Sequence, residues 1–318
     1  METVHQQTIA YLSKLLASKR IAGVTLRKDF SVTYFKSGGG THLYLITGGK
    51  KKYVARVNFY SLKNDWGIKK QEFQILKKIE HLSIAPKVYY LSTKNPLGQH
   101  FTIVDYVEGE PVRRFADTHI ISVAKTLKKL HAITFRRSGD TFPPKDALPY
   151  TCDIFDLYAN GADKQIEKYT DLPGIELVVE PFNRVRKSLG LYFSGLHCFD
   201  GITSFSLVHA DLKKENMLVA GDKIRLIDWE GGGSDIPEVD IGNFFADSRL
   251  TKMQQQLFLK TYYGRAVDAQ HLERIYAVKI VLDFFRIMDD YMLNKRKAWD
   301  ANRMRNEILR FEKTLPRT

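Results

Sequence analysis

Apolar residues recur at helical spacing over residues 5–19, where Ile9, Leu12, Leu15 and Leu16 share one face, and this predicts an opening amphipathic helix. The texture then changes to short β-rich runs punctuated by glycine. Residues 31–35, 41–47 and 52–58 read as consecutive antiparallel strands joined by tight turns. Residues 69–80 return to the helical period, with Phe73, Leu76 and Ile79 on one side. Two more strand-like runs follow at 87–92 and 101–107. The sequence Glu108-Gly109-Glu110-Pro111 then breaks the pattern. That breaker is the expected boundary between two lobes, residues 1–107 and 108–318.

Beyond it the chain is mostly helical. Residues 120–132 repeat apolar side chains at Ile120, Val123, Ala124, Leu127 and Leu130, and helices are expected at 182–196, 252–263, 271–293 and 297–313. An island at 207–247 differs, with two short apolar strands set around polar residues. No internal repeat or low-complexity tract is present. The expected fold class is α+β: a small antiparallel sheet lobe with one main helix, followed by a larger helical lobe.

Composition narrows the class. The chain has 318 residues, 49 Lys and Arg against 36 Asp and Glu, 44% hydrophobic and 27% charged residues. These values exclude a disordered, collagenous or coiled-coil protein. No run approaches the roughly 20 apolar residues needed to span a bilayer. The N-terminus has no basic segment leading into an apolar run, so a secretory signal is not expected. Cys152 and Cys198 are too few for a disulfide framework and show no zinc spacing. The expectation is a soluble cytoplasmic protein. The net charge of +13 is unevenly placed: residues 1–107 hold 17 Lys and Arg against 6 Asp and Glu, and the rest hold 32 against 30. A basic face of this kind suits an anion such as nucleotide phosphate, nucleic acid or an acidic membrane surface. A lysine-rich solvated surface is the alternative reading.

The island reads LVHADLKKENMLVAGDKIRLIDWEGGG. Its His209-Ala210-Asp211, Asn216 five positions after Asp211, and Ile227-Asp228-Trp229 resemble the catalytic and metal-binding segments of the protein kinase-like superfamily. Within it the sequence is most similar to the aminoglycoside phosphotransferase and choline kinase-like family of small-molecule kinases. Other pieces occur in that family's order: Ser37-Gly38-Gly39-Gly40-Thr41, the strand Tyr53-Val54-Ala55-Arg56-Val57, a helix carrying Glu72, Ile84-Ala85-Pro86-Lys87-Val88, Leu130-His131, and Asp240-Ile241-Gly242-Asn243. The resemblance covers about residues 30–250 and implies a bilobal kinase-like fold, with ATP and Mg²⁺ as cofactors.

The spacing has a physical reason of its own. Phosphoryl transfer depends on alignment and on compensation of phosphate charge. Asp211 suits the carboxylate at the acceptor hydroxyl. Asn216 and Asp228 offer one amide oxygen and one carboxylate, which matches the few protein oxygens that Mg²⁺ takes alongside phosphate and water. The resemblance implies that His209 steadies the catalytic loop.

The remaining candidates are less specific. Gly38, Gly39 and Gly40 either bring backbone N–H groups close to phosphates or form a plain hairpin turn, and Thr41 adds a hydroxyl. Arg56 stands where protein kinases have lysine, and its guanidinium is able to fork onto phosphate oxygens. The family implies Glu72 as its partner. The strand at 101–107 should lead to the hinge, where the Asp105 carbonyl and Val107 amide meet adenine with Tyr106 beside it. Asp240 is implied as a structural anchor and His131 as a packed helix-end residue. Glu230 lies near the metal region, where contact with metal water or substrate is the lesser of its readings, and Trp229, Phe244 and Phe245 read as core.

The expected activity is ATP-dependent transfer of the γ-phosphate to a small-molecule hydroxyl, on an aminoglycoside, choline, ethanolamine, thiamine, a sugar or a similar compound. One alternative is a kinase-like enzyme acting on protein. Against it, Asp228-Trp229-Glu230 replaces DFG, no APE follows, and Asp240 comes only 11 positions after Trp229, too soon for an activation segment. A second alternative is a nucleotide-binding module whose basic first lobe holds RNA or an acidic partner. Retention of Asp211, Asn216 and Asp228 together favours catalysis.

Overall fold

The computed structural model describes residues 2–18, 21–38, 40–61, 68–139, 154–293 and 298–316. A helix, α1 (Glu2–Ala17), precedes five strands and a second helix: β1 (Ser31–Gly38), β2 (Thr41–Thr47), β3 (Tyr53–Ser61), α2 (Ile68–Ile79), β4 (Val88–Ser92) and β5 (Gln99–Asp105). The strands form one antiparallel sheet in the order β1-β2-β3-β5-β4. Successive residues of a strand face opposite sides, and β3 shows the consequence. Tyr53, Ala55 and Val57 pack with Leu12 and Leu16 of α1. Val54 points the other way, into a core that includes Ile75, Leu76 and Ile79 of α2. Arg56 therefore shares the α2 face of the sheet with Val54.

The rest of the chain comprises β6 (Glu110–Pro111), α3 (Asp117–His131), β7 (Thr134–Phe135), α4 (Ile154–Lys168), α5 (Glu176–Ser194), β8 (Phe205–Val208), β9 (Met217–Ala220), β10 (Lys223–Leu226), β11 (Gly233–Asp235), α6 (Pro237–Ser248), α7 (Lys252–Tyr263), α8 (Ala269–Met288) and α9 (Ala301–Glu312). Two three-stranded sheets, β10-β9-β6 and β11-β8-β7, carry the polar island among these helices. Trp229, Phe244 and Phe245 are buried in the core that joins α2, α3, α6 and α7, as their apolar setting in the sequence suggests. Among the described residues no helix is long and apolar enough to cross a membrane.

Some boundaries differ from the sequence reading. The breaker at 108–111 ends in a short strand, because Glu110 and Pro111 pair with Val219 and Leu218. Proline is tolerated there since β6 is an edge strand. The helix expected from residue 182 begins at Glu176 and runs over Pro181, whose missing N–H falls one turn after the exposed Leu177. The segment 271–293 is α-helical to Met288 and then widens into a π-helical turn, Asp289–Leu293. The helix α4 was not expected. It carries Asn160 and Gly161 in its middle, residues of weak helix propensity, and is held by burial of Ala159 and Ala162.

Candidate active site

The site is built on the loop after β8. His209 is fully buried, and its imidazole has a defined tautomer. The backbone N–H of Asp211 donates to Nδ1 at 3.3 Å, so that nitrogen carries no proton. Nε2 then donates to the carbonyl of Ile227 at 3.0 Å. The ring thus ties the Asp211 loop to the residue before Asp228, and both nitrogens are engaged. Ala210 takes φ 61° and Asp228 φ 67°, left-handed conformations that cost a residue with a Cβ about 1–2 kcal/mol. Such strain persists only where the surroundings over-determine it.

Asp240 supplies much of that determination. Its buried carboxylate accepts from the N–H of His209 at 2.9 Å and of Ala210 at 2.7 Å. A third bond comes from His131 Nε2 at 3.1 Å. Burial, with Glu238 and Asp240 nearby, pushes the Tyr262 phenol far up, so it stays protonated and donates to His131 Nδ1 at 2.7 Å. His131 is therefore more than a packed helix end: it links α3 and α7 to the loop. The loop's second half is held by Asp247, which accepts from the N–H of Lys214 at 2.7 Å.

Asp211 and Asn216 meet on this scaffold. Asn216 Nδ2 donates to the Asp211 backbone oxygen and to Asp211 Oδ2, each at 2.9 Å. Lys213 Nζ lies 2.9 Å from the same Oδ2. Both contacts fall on one carboxylate oxygen, and the amide nitrogen uses both its hydrogens, which leaves Asp211 Oδ1 and Asn216 Oδ1 without a partner among the described residues. The N–H of Ile227 donates to the Asn216 carbonyl at 2.9 Å, placing Asp228 next to this pair.

Across from them stands a charged network from β3 and α2. Arg56 Nη1 donates to Glu72 Oε1, and Nη2 to Asp228 Oδ1 at 2.6 Å, with Glu230 Oε1 at 3.6 Å. Lys69 Nζ donates to Glu72 Oε2 at 2.9 Å and to Glu230 Oε1. Burial alone would raise the Asp228 carboxyl, but Arg56 and Lys69 overcome it and hold the group below the ordinary carboxylate range. Glu230 goes the other way: desolvation outweighs Lys69 and Arg56, and Glu72 adds to the rise. Burial opposes the Arg56 charge, and Glu72, Asp228 and Glu230 outweigh it. Among the described residues no three His, Cys, Asp or Glu side chains converge as a metal site. The donors present, an amide oxygen and a carboxylate, instead suit an ion that draws most of its oxygens from phosphate and water.

The other predicted residues fall as follows. Gly38 pairs with Thr41 across the β1–β2 hairpin, and Gly40 turns at φ 77°, a conformation glycine adopts without cost. Gly39 lies outside the described residues. Thr41 is buried. Glu72 is also fully buried and both its oxygens are taken, so any effect on a ligand passes through Arg56 and not through direct contact. The N–H groups of Asp105 and Tyr106 are bonded to the carbonyls of Lys87 and Lys52. Asp105, Tyr106 and Val107 line a cavity of about 410 Å³ with Lys50, Lys51 and Lys52, which brings part of the basic excess beside the expected hinge. Sequence reasoning missed Lys69, Lys213 and Tyr158. Burial, with the charges of Asp211 and Asp289, pushes the Tyr158 phenol up to about 12.

The sequence model of a family described as "Phosphotransferase enzyme family" matches residues 31–275. The chain belongs to the phosphotransferase enzyme family. Its resemblance to small-molecule kinases is thereby met at the level of family. A spectinomycin phosphotransferase in complex with ADP and spectinomycin aligns over 98% of this chain and 94% of its own, at 14% identity and TM-score 0.60. Choline kinase LicA from Streptococcus pneumoniae aligns over 96% and 99%, at 17% identity and TM-score 0.60. At these identities the two structures establish the shared kinase-like α+β fold. Protein LicA of Haemophilus influenzae is 39% identical over 54 residues, and that stretch spans 17% of this chain and 20% of LicA.

Proposed function

We propose that this phosphotransferase moves the γ-phosphoryl group of ATP to a hydroxyl of a small molecule, in a cleft between an N-terminal lobe ending at residue 107 and the lobe that follows. The observation that carries the reading is the Asp211–Asn216 pair, which leaves Asp211 Oδ1 and Asn216 Oδ1 available beside Asp228. Asp211 takes the proton of the acceptor hydroxyl as the new bond to phosphorus forms. His209 does not exchange protons, since both ring nitrogens are committed; it positions the loop. Asn216 and Asp228 would hold Mg²⁺, which when bound offsets charge on the phosphates. Lys213 and Arg56 add cations at that end. Gly38, Gly40 and the Thr41 backbone of the hairpin cover the phosphates, and the backbone at Asp105–Val107 receives the adenine. A Cβ at Gly38 would meet no described atom within 4 Å, so packing does not require glycine there, which supports a role toward ligand.

The Tyr158 phenol feels the charges of Asp211, Asp289 and Arg286. We take an alcohol bearing an amine or ammonium group as the acceptor class. Spectinomycin and choline, the compounds named for the two similar structures, support that class. A screen of amino alcohols, choline, ethanolamine, thiamine, sugars and aminoglycosides for ADP release tests the reading. Mg²⁺-dependent release with at least one cationic alcohol is expected. ATP turnover that no alcohol stimulates would overturn it.

A further inference from the structure

We infer that Lys69 is a positioning residue of the reaction, acting through Glu230 and Glu72 to keep Arg56 and Asp228 usable at the phosphate end of the site. The inference rests on the phosphotransfer reading above.

Lysine is almost never fully buried unless paired. Lys69 has no exposed surface, and its ammonium sits between two carboxylates from different elements, Glu72 on α2 and Glu230 in the turn after β10. Stability alone is a weak reason for this arrangement, because a buried ion pair is often replaceable by apolar residues at no loss. Its place in the charge distribution gives a better one. Two cations, Arg56 and Lys69, serve three carboxylates, Glu72, Asp228 and Glu230. Lys69 holds the second oxygen of Glu72 and pins Glu230 back. Without it, three carboxylates would compete for one guanidinium. Arg56 would be drawn toward Glu230, already 3.6 Å away, and held from phosphate. Glu230 would also be released beside Asp228, adding a third ligand to a site otherwise made of one amide and one carboxylate.

The bond also joins the two halves of the site mechanically. Gln71, two residues along α2, donates to the Gly232 carbonyl at 2.7 Å, so α2 grips the Trp229–Gly232 turn at two points. Lys69 supplies the charged one. Lost outer-sphere contacts of this kind typically weaken metal affinity or activity by about 10–100-fold.

The test compares wild type, Lys69→Met, Lys69→Arg, Glu230→Gln and the Lys69→Met/Glu230→Gln pair by calorimetric titration of ATP with and without Mg²⁺, together with kcat and thermal midpoint. Lys69→Met should lose roughly 10–100-fold in the Mg²⁺-dependent part of ATP affinity. Lys69→Arg should recover most of it, and the double variant should be no worse than Lys69→Met, since residues in one network are non-additive. A folded Lys69→Met with unchanged Mg²⁺-dependent affinity overturns the inference, as does a lowered thermal midpoint with affinity intact. Should Lys69→Met fail to fold, Lys69→Gln carries the test, since it keeps a polar group in place and removes the charge: it should weaken the same affinity, and an unchanged value overturns the inference. A wild type without Mg²⁺-dependent ATP affinity removes the phosphotransfer reading itself, a result distinguishable from failure of Lys69 alone.

Discussion

Asn216 and Asp211 are joined side chain to side chain, Nδ2 donating to Oδ2 at 2.9 Å. The bond sets two orientations at once: it aims the amide oxygen away from the carboxylate and leaves Asp211 Oδ1 without a partner among the described residues. Asp211→Asn keeps the shape but removes the proton acceptor. Turnover should fall by on the order of 10²–10⁴, while ATP affinity measured by calorimetry stays near that of wild type. Wild-type turnover in this variant would remove Asp211 from the chemistry.

Asp240 braces the loop that carries Asp211. Its carboxylate accepts from His209, Ala210 and His131, all N–H donors, inside the core. Asp240→Asn replaces one acceptor oxygen with an NH₂ group and leaves at least one buried donor unmet, at a cost of about 1–3 kcal/mol. Urea denaturation should show a lower midpoint, and kcat should fall as the loop carrying Asp211 loosens. An unchanged midpoint would mean the loop is held by other contacts.

Gly242 lies where α6 crosses α8. A Cβ there would stand 2.6 Å from Val278 Cγ1, 2.7 Å from Val278 Cβ and 2.9 Å from the Ile275 carbonyl. Two of these atoms are close to or part of the α8 backbone and cannot step aside by a rotamer change. Gly242→Ala should therefore destabilise the fold by about 1–3 kcal/mol through overpacking, measurable as a fall in thermal midpoint. A neutral result would show that α6 and α8 separate easily.

The members of the candidate site were legible together because they are close in sequence. Asp211, Asn216 and Asp228 sit on one stretch whose apolar strands fix their facing, and Asp240 follows shortly after. The buried network was not. Lys69 and Glu230 are 161 positions apart, and nothing in local periodicity distinguishes Lys69 from the solvated lysines around it. Only the packing of α2 against the turn after β10 reveals the pair. His131 was under-read for the same reason, since its partners Tyr262 and Asp240 come from distant helices. The helix α4 was missed because Gly161 and Asn160 obscure a face that tertiary burial completes. The consecutive antiparallel pairing of β1, β2 and β3, by contrast, followed from glycine turns and short β-rich runs, whereas the insertion of β5 between β3 and β4 did not.

Cys198 offers a pH-dependent check on burial. Desolvation, reinforced by the nearby Glu273 carboxylate, pushes its thiol up to about 11. In a Cys152→Ser background, alkylation by iodoacetamide should be slow at a pH of about 8.5, where an ordinary thiol is half ionised, and should rise steeply toward about 11 as the thiolate forms. Fast alkylation in the ordinary thiol range would mean that the pocket around Cys198 is open to water.

The most direct test of the whole account is a crystal structure with Mg²⁺ and a non-hydrolysable ATP analogue. The metal should be bonded by Asn216 Oδ1 and an Asp228 carboxylate oxygen, with the terminal phosphate facing Asp211 Oδ1. A triphosphate and ion held elsewhere, with Asn216 and Asp228 untouched, would contradict it.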